Sequence, residues 1–422
     1  MSSRDRLTLR YMLSFRCIAG SCRENCCTGL RVELSEENHR KLAERSAKIP
    51  GLQVLFEKHL ELEPEATRSP KRYAHIEPHG PSCPYLDGDW LCAIHRHAGE
   101  ETLADPCSLF PRVIAEVNGR YELSATLACP EAARLCLTTE HGVDSVPYEP
   151  SMVAREIVVR THDTASSDPY VALLDDVRQI CLDVMDLRGV STTSKVLLLL
   201  DFALRVEPHF HRGTTTFDAA AFGQAVDAMG NRLSVLEVLP ERSPSARGVK
   251  ALHEMLLARL SGCDNKRFNG LFRPLLLTNP TLERSKIGSY FQGNPGVARD
   301  VSALVEAGSQ AVHTRFGEAL DRYLHRAAVN SFVKDWYTQQ PTLAGSLRRL
   351  VVRLALSRFA LFVHPGVTDA KDVAALDELA VDSFQIIAKN VEHVPAFMEL
   401  CEAYLAEQQL TTVEGAALLL SV

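Results

Sequence analysis

The residues of this chain that could do chemistry are its cysteines, and most of them lie in its first third. The sequence has 12 cysteines in 422 residues. A dense set of cysteines without a secretory signal is typical of metal binding or redox chemistry rather than of disulfide bonds. Eight of them form the candidate ligand set: Cys17, Cys22, Cys26, Cys27, Cys83, Cys92, Cys107 and Cys129.

Two short knots contain most of these candidate ligands. The first runs over Cys17–Cys27 and is followed by Gly29, so the backbone can fold tightly around an ion. The second runs from Cys83 to Cys92, and Asp87-Gly88 predicts a turn that returns one thiol towards the other. Thiolate sets bind Zn²⁺ or iron–sulfur clusters, and eight thiols suffice for two four-ligand sites or for one site with redox-active spares. The spacing Cys17-x4-Cys22-x3-Cys26-Cys27 differs from the paired Cys-x2-Cys knuckles of zinc ribbons. This looser spacing favours an iron–sulfur cluster over zinc.

The other cysteines and the nearby histidines have simpler interpretations. Cys181 and Cys401 fall on apolar stripes of helical spacing, which predicts that they are buried as small hydrophobic residues. Cys263 is predicted to be an incidental loop thiol. Four histidines could be ligands or outer hydrogen-bond donors, although surface or hydrogen-bonding roles are favoured: His75, His79, His95 and His97.

The elements around the cysteines differ between the two parts of the chain. We predict a mainly α protein, with a small Cys-rich metal-binding domain of irregular α+β structure over residues 1–145 and a large all-helical domain for substrate docking over 150–422. A hairpin is predicted from Pro111–Val117 to the strand after Asn118-Gly119. Helices are predicted at 35–47, after Pro130, and at 169–187, 192–206, 216–235, 246–261, 298–325, 326–338, 343–362, 370–390 and 394–407.

Composition and missing motifs exclude several classes of function. The net charge of −7 argues against nucleic acid as the main partner. No apolar run is long enough to span a bilayer and no targeting signal is visible, so we expect a cytoplasmic protein without a membrane partner. The sequence has no Gly-x-Gly-x-x-Gly after a strand, no Walker loop, no Gly-x-Ser-x-Gly and no His-Glu-x-x-His.

The cysteine-rich segments resemble the bacterial flagellin lysine-N-methylase family. The resemblance rests on Phe15–Gly29, on Cys83–His95, on Cys107-x2-Phe110-Pro111-Arg112 and on Ser124–Arg134. It continues more faintly in helical segments at Leu324–Phe332 and Phe384–His393. A broader group of small zinc- or iron-chelating proteins shares the cysteine pattern but lacks the long helical half.

This resemblance implies methyl transfer from S-adenosylmethionine to lysine ε-amines of flagellin, in an enzyme that carries a [4Fe–4S] cluster, with zinc as the alternative metal. The spacing identifies no catalytic base. Arg112 could bind a carboxylate or form a structural ion pair. Two other functions stay open: a non-catalytic zinc- or iron-binding module with a helical partner-docking domain, and a thiol redox or electron-transfer protein.

Overall fold

A computed structural model describes residues 6–28, 31–78, 82–153, 155–236, 245–260, 262–272, 275 and 295–422. The chain divides into two compact units. The first comprises Met1–Ala132 with Ser145–Arg160, and the second comprises Ala133–Asp144 with Thr161–Val422. Residues 133–144, which the sequence analysis places in the Cys-rich domain, therefore belong to the second unit. The predicted mainly α fold, with small sheets in the N-terminal part, is confirmed.

Two small sheets form the framework of the first unit. The described strands are β1 Arg6–Leu9, β2 Val32–Leu34, β3 Leu60–Leu62, β4 Ala74–Ile76, β5 Arg112–Val117, β6 Arg120–Ala125, β7 Ser145–Pro147 and β8 Val158–Thr161. The larger sheet has the order β7-β1-β6-β5-β8, and the smaller has the order β2-β4-β3. In the larger sheet β1 runs parallel to β6 and antiparallel to β7.

The predicted hairpin is confirmed by the antiparallel pairing of β5 with β6. Its turn consists of Asn118 and Gly119, whose φ angles are 52° and 75°. Two successive residues with positive φ make the type I′ turn that Asn-Gly favours, because its twist matches that of the strands. Strand β6 is followed by Cys129 and by helix Pro130–Thr138, so the predicted helix after Pro130 is also confirmed.

The three-stranded sheet packs against short helices around a small hydrophobic core. The first of these, Glu36–Ser46, confirms the prediction at 35–47 and begins where Ser35 Oγ accepts a hydrogen bond from the Asn38 amide at 3.2 Å. Such a capping bond satisfies one of the amide groups left without a partner at a helix start. Buried side chains of the core come from strands, helices and, at Tyr85, a turn: Val32, Leu34, Leu42, Leu52, Ala74, Ile76, Tyr85 and Ile94.

The second unit consists mainly of helices. Its described helices of eight or more residues are Leu174–Met185, Thr192–Val206, Ala219–Asp227, Met229–Leu236, Ala246–Leu260, Pro295–Lys334, Leu343–Phe362, Val373–Ile387, Pro395–Glu407 and Val413–Leu420. The predicted helices at 192–206 and 343–362 have the predicted bounds. Helix Leu343–Phe362 is buried on nearly all sides, which agrees with a mostly apolar sequence that four arginines interrupt.

Several details of the helical prediction are wrong. The single helices predicted at 169–187 and 216–235 are each divided into two. The predicted division between residues 325 and 326 does not exist, because one helix runs to Lys334 and its kink lies at Phe316, where φ is −141°. Helix Lys266–Phe272 and helix Val413–Leu420 were not predicted. Both are short, so each contains only one or two repeats of the apolar pattern. No helix among the described residues is long and apolar enough to cross a membrane.

Candidate metal centre

Backbone hydrogen bonds join the two cysteine knots. The Cys83 amide donates to the Cys27 carbonyl at 2.8 Å, next to an antiparallel bridge between Thr28 and Ser82. The Cys27 amide in turn donates to Asn25 Oδ1 at 2.7 Å, which fixes the end of the first knot. Two segments that are far apart in sequence therefore present their thiols side by side.

The second knot closes through the predicted turn at Asp87. Asp87 Oδ1 accepts hydrogen bonds from the Asp89 and Leu91 amides, each at 2.9 Å, and the Asp87 amide donates to the Leu91 carbonyl. An antiparallel bridge between Leu86 and Cys92 completes the turn. Arg96 forms an ion pair with the Asp87 carboxylate at 2.9 Å, which neutralises its charge. The turn is confirmed, and it returns Cys92 towards Cys83.

Electrostatic interactions connect five of the eight predicted ligands: Cys26, Cys27, Cys83, Cys92 and Cys107. We call these the five-thiol group. The pKa of Cys27 is raised mainly by a hydrogen bond with Cys26 and, to a smaller extent, by burial. Burial and the thiols of Cys92 and Cys26 raise the pKa of Cys83 to about 11. Burial likewise raises the pKa of Cys107, although its side chain still borders solvent.

The other three predicted ligands form a second group, in which Cys129 interacts with Cys22 and Cys17. Burial raises the pKa of Cys129 to about 12. Arg112 in strand β5 lies beside this group, with its guanidinium 5.2 Å from the centre of the Phe15 ring. Burial lowers the pKa of Arg112, while Glu100, Cys17 and Cys129 act in the opposite direction. The guanidinium therefore has carboxylate, thiol and aromatic neighbours.

The chemistry of this donor set suits a bound cation. All of the cysteines are thiols rather than disulfides, and crowding several thiolates together is unfavourable without positive charge between them. A metal ion or cluster supplies that charge and takes the place of the thiol protons. Within the described residues, no three cysteine sulfurs all lie within 4.8 Å of one another.

A buried hydroxyl group beside the five-thiol group was not singled out by the sequence. Tyr85 is 1% exposed, and its hydroxyl has no hydrogen-bond partner among the described residues. Burial, followed by the nearby Cys83 and Cys92, raises the pKa of Tyr85. The phenol therefore stays protonated and can donate a hydrogen bond to an anionic group bound there. The pattern Cys-Pro-Tyr was visible in the sequence, but a tyrosine between apolar residues indicates only a core position.

Residues predicted to lie outside the site have the following positions. Cys181 and Cys401 are buried, as predicted. Cys263 lies in the loop between helices Ala246–Leu260 and Lys266–Phe272, as predicted, but its side chain is buried and its Sγ lies 3.4 Å from Asn390 Oδ1. Among the histidines, His95 and His97 are exposed on a short helix, and His79 lies outside the described residues.

Together these features define a mainly α-helical protein whose first unit gathers cysteine thiols beside small sheets. The chain belongs to the FliB lysine N-methylase family, because residues 178–419 match the FliB lysine N-methylase C-terminal domain. This match covers more than half of the chain and lies within the helical unit.

Three relatives are similar to parts of the chain. The lysine-N-methylases of Salmonella choleraesuis (strain SC-B67) and Salmonella typhimurium (strain LT2) are each 24% identical to it over 216 residues. These alignments cover 51% of this chain and 49% of each relative, so the chain spans about half the length of these curated relatives. The flagellar biosynthetic protein FliU of Salmonella muenchen is 29% identical over 126 residues, which cover 29% of this chain and 70% of that protein. No solved structure is significantly similar to the chain.

Proposed function

We propose that this protein transfers methyl groups from S-adenosylmethionine to lysine ε-amines of flagellin, and that the activity depends on a [4Fe–4S] cluster held by its cysteines. The observation that carries this proposal is the match of residues 178–419 to the family's C-terminal domain. The thiols gathered in the first unit support it, since they supply the ligands that an iron–sulfur cluster requires.

The spacing of the cysteines in the sequence favours a cluster over a single zinc ion, because it lacks the paired Cys-x2-Cys knuckles of zinc ribbons.

The chain's own residues would hold and tune such a cluster. Three members of the five-thiol group would bind three of its irons and lose their protons on doing so, which would leave the fourth iron open. The Tyr85 hydroxyl would donate a hydrogen bond to a ligand sulfur, which stabilises negative charge there. When bound, a cluster with an open iron position would supply a site for the amino and carboxylate groups of S-adenosylmethionine. Arg112, which lies beside the second group of thiols, is our candidate for binding a carboxylate.

Methylation of lysine requires a neutral amine. The substrate ammonium must first lose a proton, and transfer out of water lowers its pKa and so favours that loss. The amine lone pair then forms a bond to the methyl carbon, while the carbon–sulfur bond breaks and its electron pair stays on sulfur. The methylated ammonium product can then release one proton to solvent. A net charge of −7 would attract lysine-bearing protein surfaces weakly at low salt.

The deciding experiment is methylation by anaerobically purified full-length protein. Iron, sulfide and zinc are measured first, together with the visible absorption spectrum. We expect a brown protein that, with S-adenosylmethionine and cognate flagellin, adds methyl groups to lysines detected by mass spectrometry. Colourless protein that contains only zinc would refute the cluster. Absence of methylated lysine, with cluster content and cofactor binding verified, would refute the methylase function.

The matched variants are Cys83→Ser and Cys181→Ser, which make the same chemical change at a predicted ligand and at a buried helix position. We expect Cys83→Ser to lose iron and methylation together, and Cys181→Ser to retain both. If Cys83→Ser kept its full iron content, the assignment of the five-thiol group would be wrong.

A further inference from the structure

A second cluster of metal-ligating side chains lies on the three-stranded sheet, apart from the cysteines. His75 is on strand β4, and Glu61 is its direct cross-strand partner on β3. His75 Nε2 lies 3.1 Å from Glu77 Oε2 and 3.7 Å from Glu61 Oε2. One ligand atom from each of the three residues lies within 4.8 Å of the other two. The register of the sheet therefore holds one imidazole nitrogen between two carboxylates.

The other imidazole nitrogen is held by a buried carboxylate. His75 is 6% exposed and Glu63 is 2% exposed, and His75 Nδ1 lies 3.0 Å from Glu63 Oε1. Arg31 compensates the charge of Glu63 by an ion pair at 2.7 Å, and its Nη2 also lies 2.8 Å from His75 Nδ1. A histidine that binds a metal usually donates its second N–H to a carboxylate, which fixes the ring and leaves the first nitrogen free to coordinate. Glu63 is placed to accept that hydrogen bond.

We propose that Glu61, His75 and Glu77 bind a divalent transition-metal ion of the zinc type, with solvent as a further ligand. A tetrahedral ion with bonds of about 2.1 Å spaces its ligand atoms about 3.4 Å apart, and the two measured distances from Nε2 lie on either side of this value. Zinc accepts nitrogen, oxygen and sulfur ligands, and one histidine nitrogen with carboxylate oxygens is among the ligand sets that it binds. This site does not depend on the proposed methylation.

Two hydrogen-bonding arrangements of His75 fit these contacts. When Nδ1 accepts from Arg31, Nε2 carries the proton and donates to Glu77. When Nδ1 donates to Glu63, the lone pair of Nε2 faces the Glu61 and Glu77 carboxylates and can bind a cation. Glu61 and Glu77 are exposed, so an ion can reach the site from solvent.

The test is the zinc content of the full-length chain, measured by mass spectrometry after equilibration with Zn²⁺ and removal of free ion. We expect wild type to bind one zinc per chain more than His75→Gln. Glu77→Gln should lower the affinity for that zinc ion by at least about tenfold, measured by competition with a chelator. Because Glu77 is exposed, this variant should fold even if the substitution of buried His75 disturbs the sheet. Glu44→Gln, which removes an exposed helix carboxylate with the same change of charge, should bind as wild type does.

Cobalt distinguishes this site from the cysteines. Co²⁺ bound by thiolates gives intense charge-transfer bands, so the ion that His75→Gln loses should contribute only weak visible bands. Equal zinc content in wild type, His75→Gln and Glu77→Gln would overturn the proposal, because a proton alone would then occupy Nε2. Loss of thiolate bands in Glu77→Gln would also overturn it.

Discussion

Substitution of Arg353 by methionine should destabilise the helical unit through a buried ion network. Arg353 Nη1 lies 2.6 Å from Asp335 Oδ2 and 3.5 Å from Glu392 Oε1. Lys334 pairs with the same two carboxylates, at 2.7 Å from Asp335 Oδ1. The network therefore balances two anions against two cations. Methionine fills a similar volume but leaves two carboxylates facing a single ammonium.

The size of the effect follows from burial. Removal of one partner from a buried ion pair costs about 3–5 kcal/mol. The four side chains are 7–23% exposed, so we expect the lower end, about 3 kcal/mol. For a unit of this size, each kcal/mol changes Tm by about 2–4 °C, which predicts a decrease of about 6–12 °C.

The effect should depend on pH. Burial alone would raise the pKa of Asp335, but Lys334 and Arg353 lower it, and the same two cations lower the pKa of Glu392. A carboxyl group with a lowered pKa in the folded state stabilises the fold above its unfolded pKa of about 4, and this contribution is lost as the pH falls further. The difference in Tm between wild type and Arg353→Met should therefore reach its largest value above about pH 5 and decrease as the pH falls below about 4.

Scanning calorimetry of the full-length chain across this pH range provides the measurement. The control is Arg348→Met on the same helix, whose ion pair with Glu207 is long at 3.9 Å and should be worth less than about 1 kcal/mol. Adding Glu392→Gln to Arg353→Met restores the charge balance and should recover part of the lost Tm. A Tm equal to that of wild type at pH 7, or a Tm difference that is as large at about pH 3 as at pH 7, would refute this account.

Two further predictions concern helix packing and the thiols. Gly308→Ala should lower the free energy of unfolding by more than about 2 kcal/mol, because an added Cβ would overlap the carbonyl oxygen of Phe362. The control is Gly317→Ala on the same helix, where an added Cβ would contact no other atom. This control should be neutral or stabilising by up to about 1 kcal/mol. Equal Tm values for these two variants would contradict the close approach of the helices. Zn²⁺ titration of the metal-free chain should release more protons in wild type than in Cys83→Ser. The pKa of the Cys83 thiol is raised to about 11, so this thiol is protonated at neutral pH and must lose its proton to bind the metal. Calorimetry in two buffers of different ionisation enthalpy measures the number of protons released.

The sequence by itself determined the features that depend only on residues close together along the chain. The Asn118-Gly119 turn, the cap at Ser35 and the helices at 192–206 and 343–362 follow from local backbone preference and from apolar periodicity. The clustering of cysteines in the first third also belongs to this class, because spacing alone identifies thiols that can meet around a metal. The turn at Asp87 needed only residues within the second knot.

Tertiary structure decided which distant residues meet. The hydrogen bond from Cys83 to Cys27, the orphaned hydroxyl of Tyr85 and the buried environment of Cys263 depend on contacts between segments that are far apart in sequence. Glu61 reaches His75 only because strands β3 and β4 pair in one register, and a shift by one residue would turn it to the other face. Periodicity specifies which face of an element is apolar but not which partner covers it. The grouping of the thiols and the approach of Glu61 to His75 therefore required the folded chain.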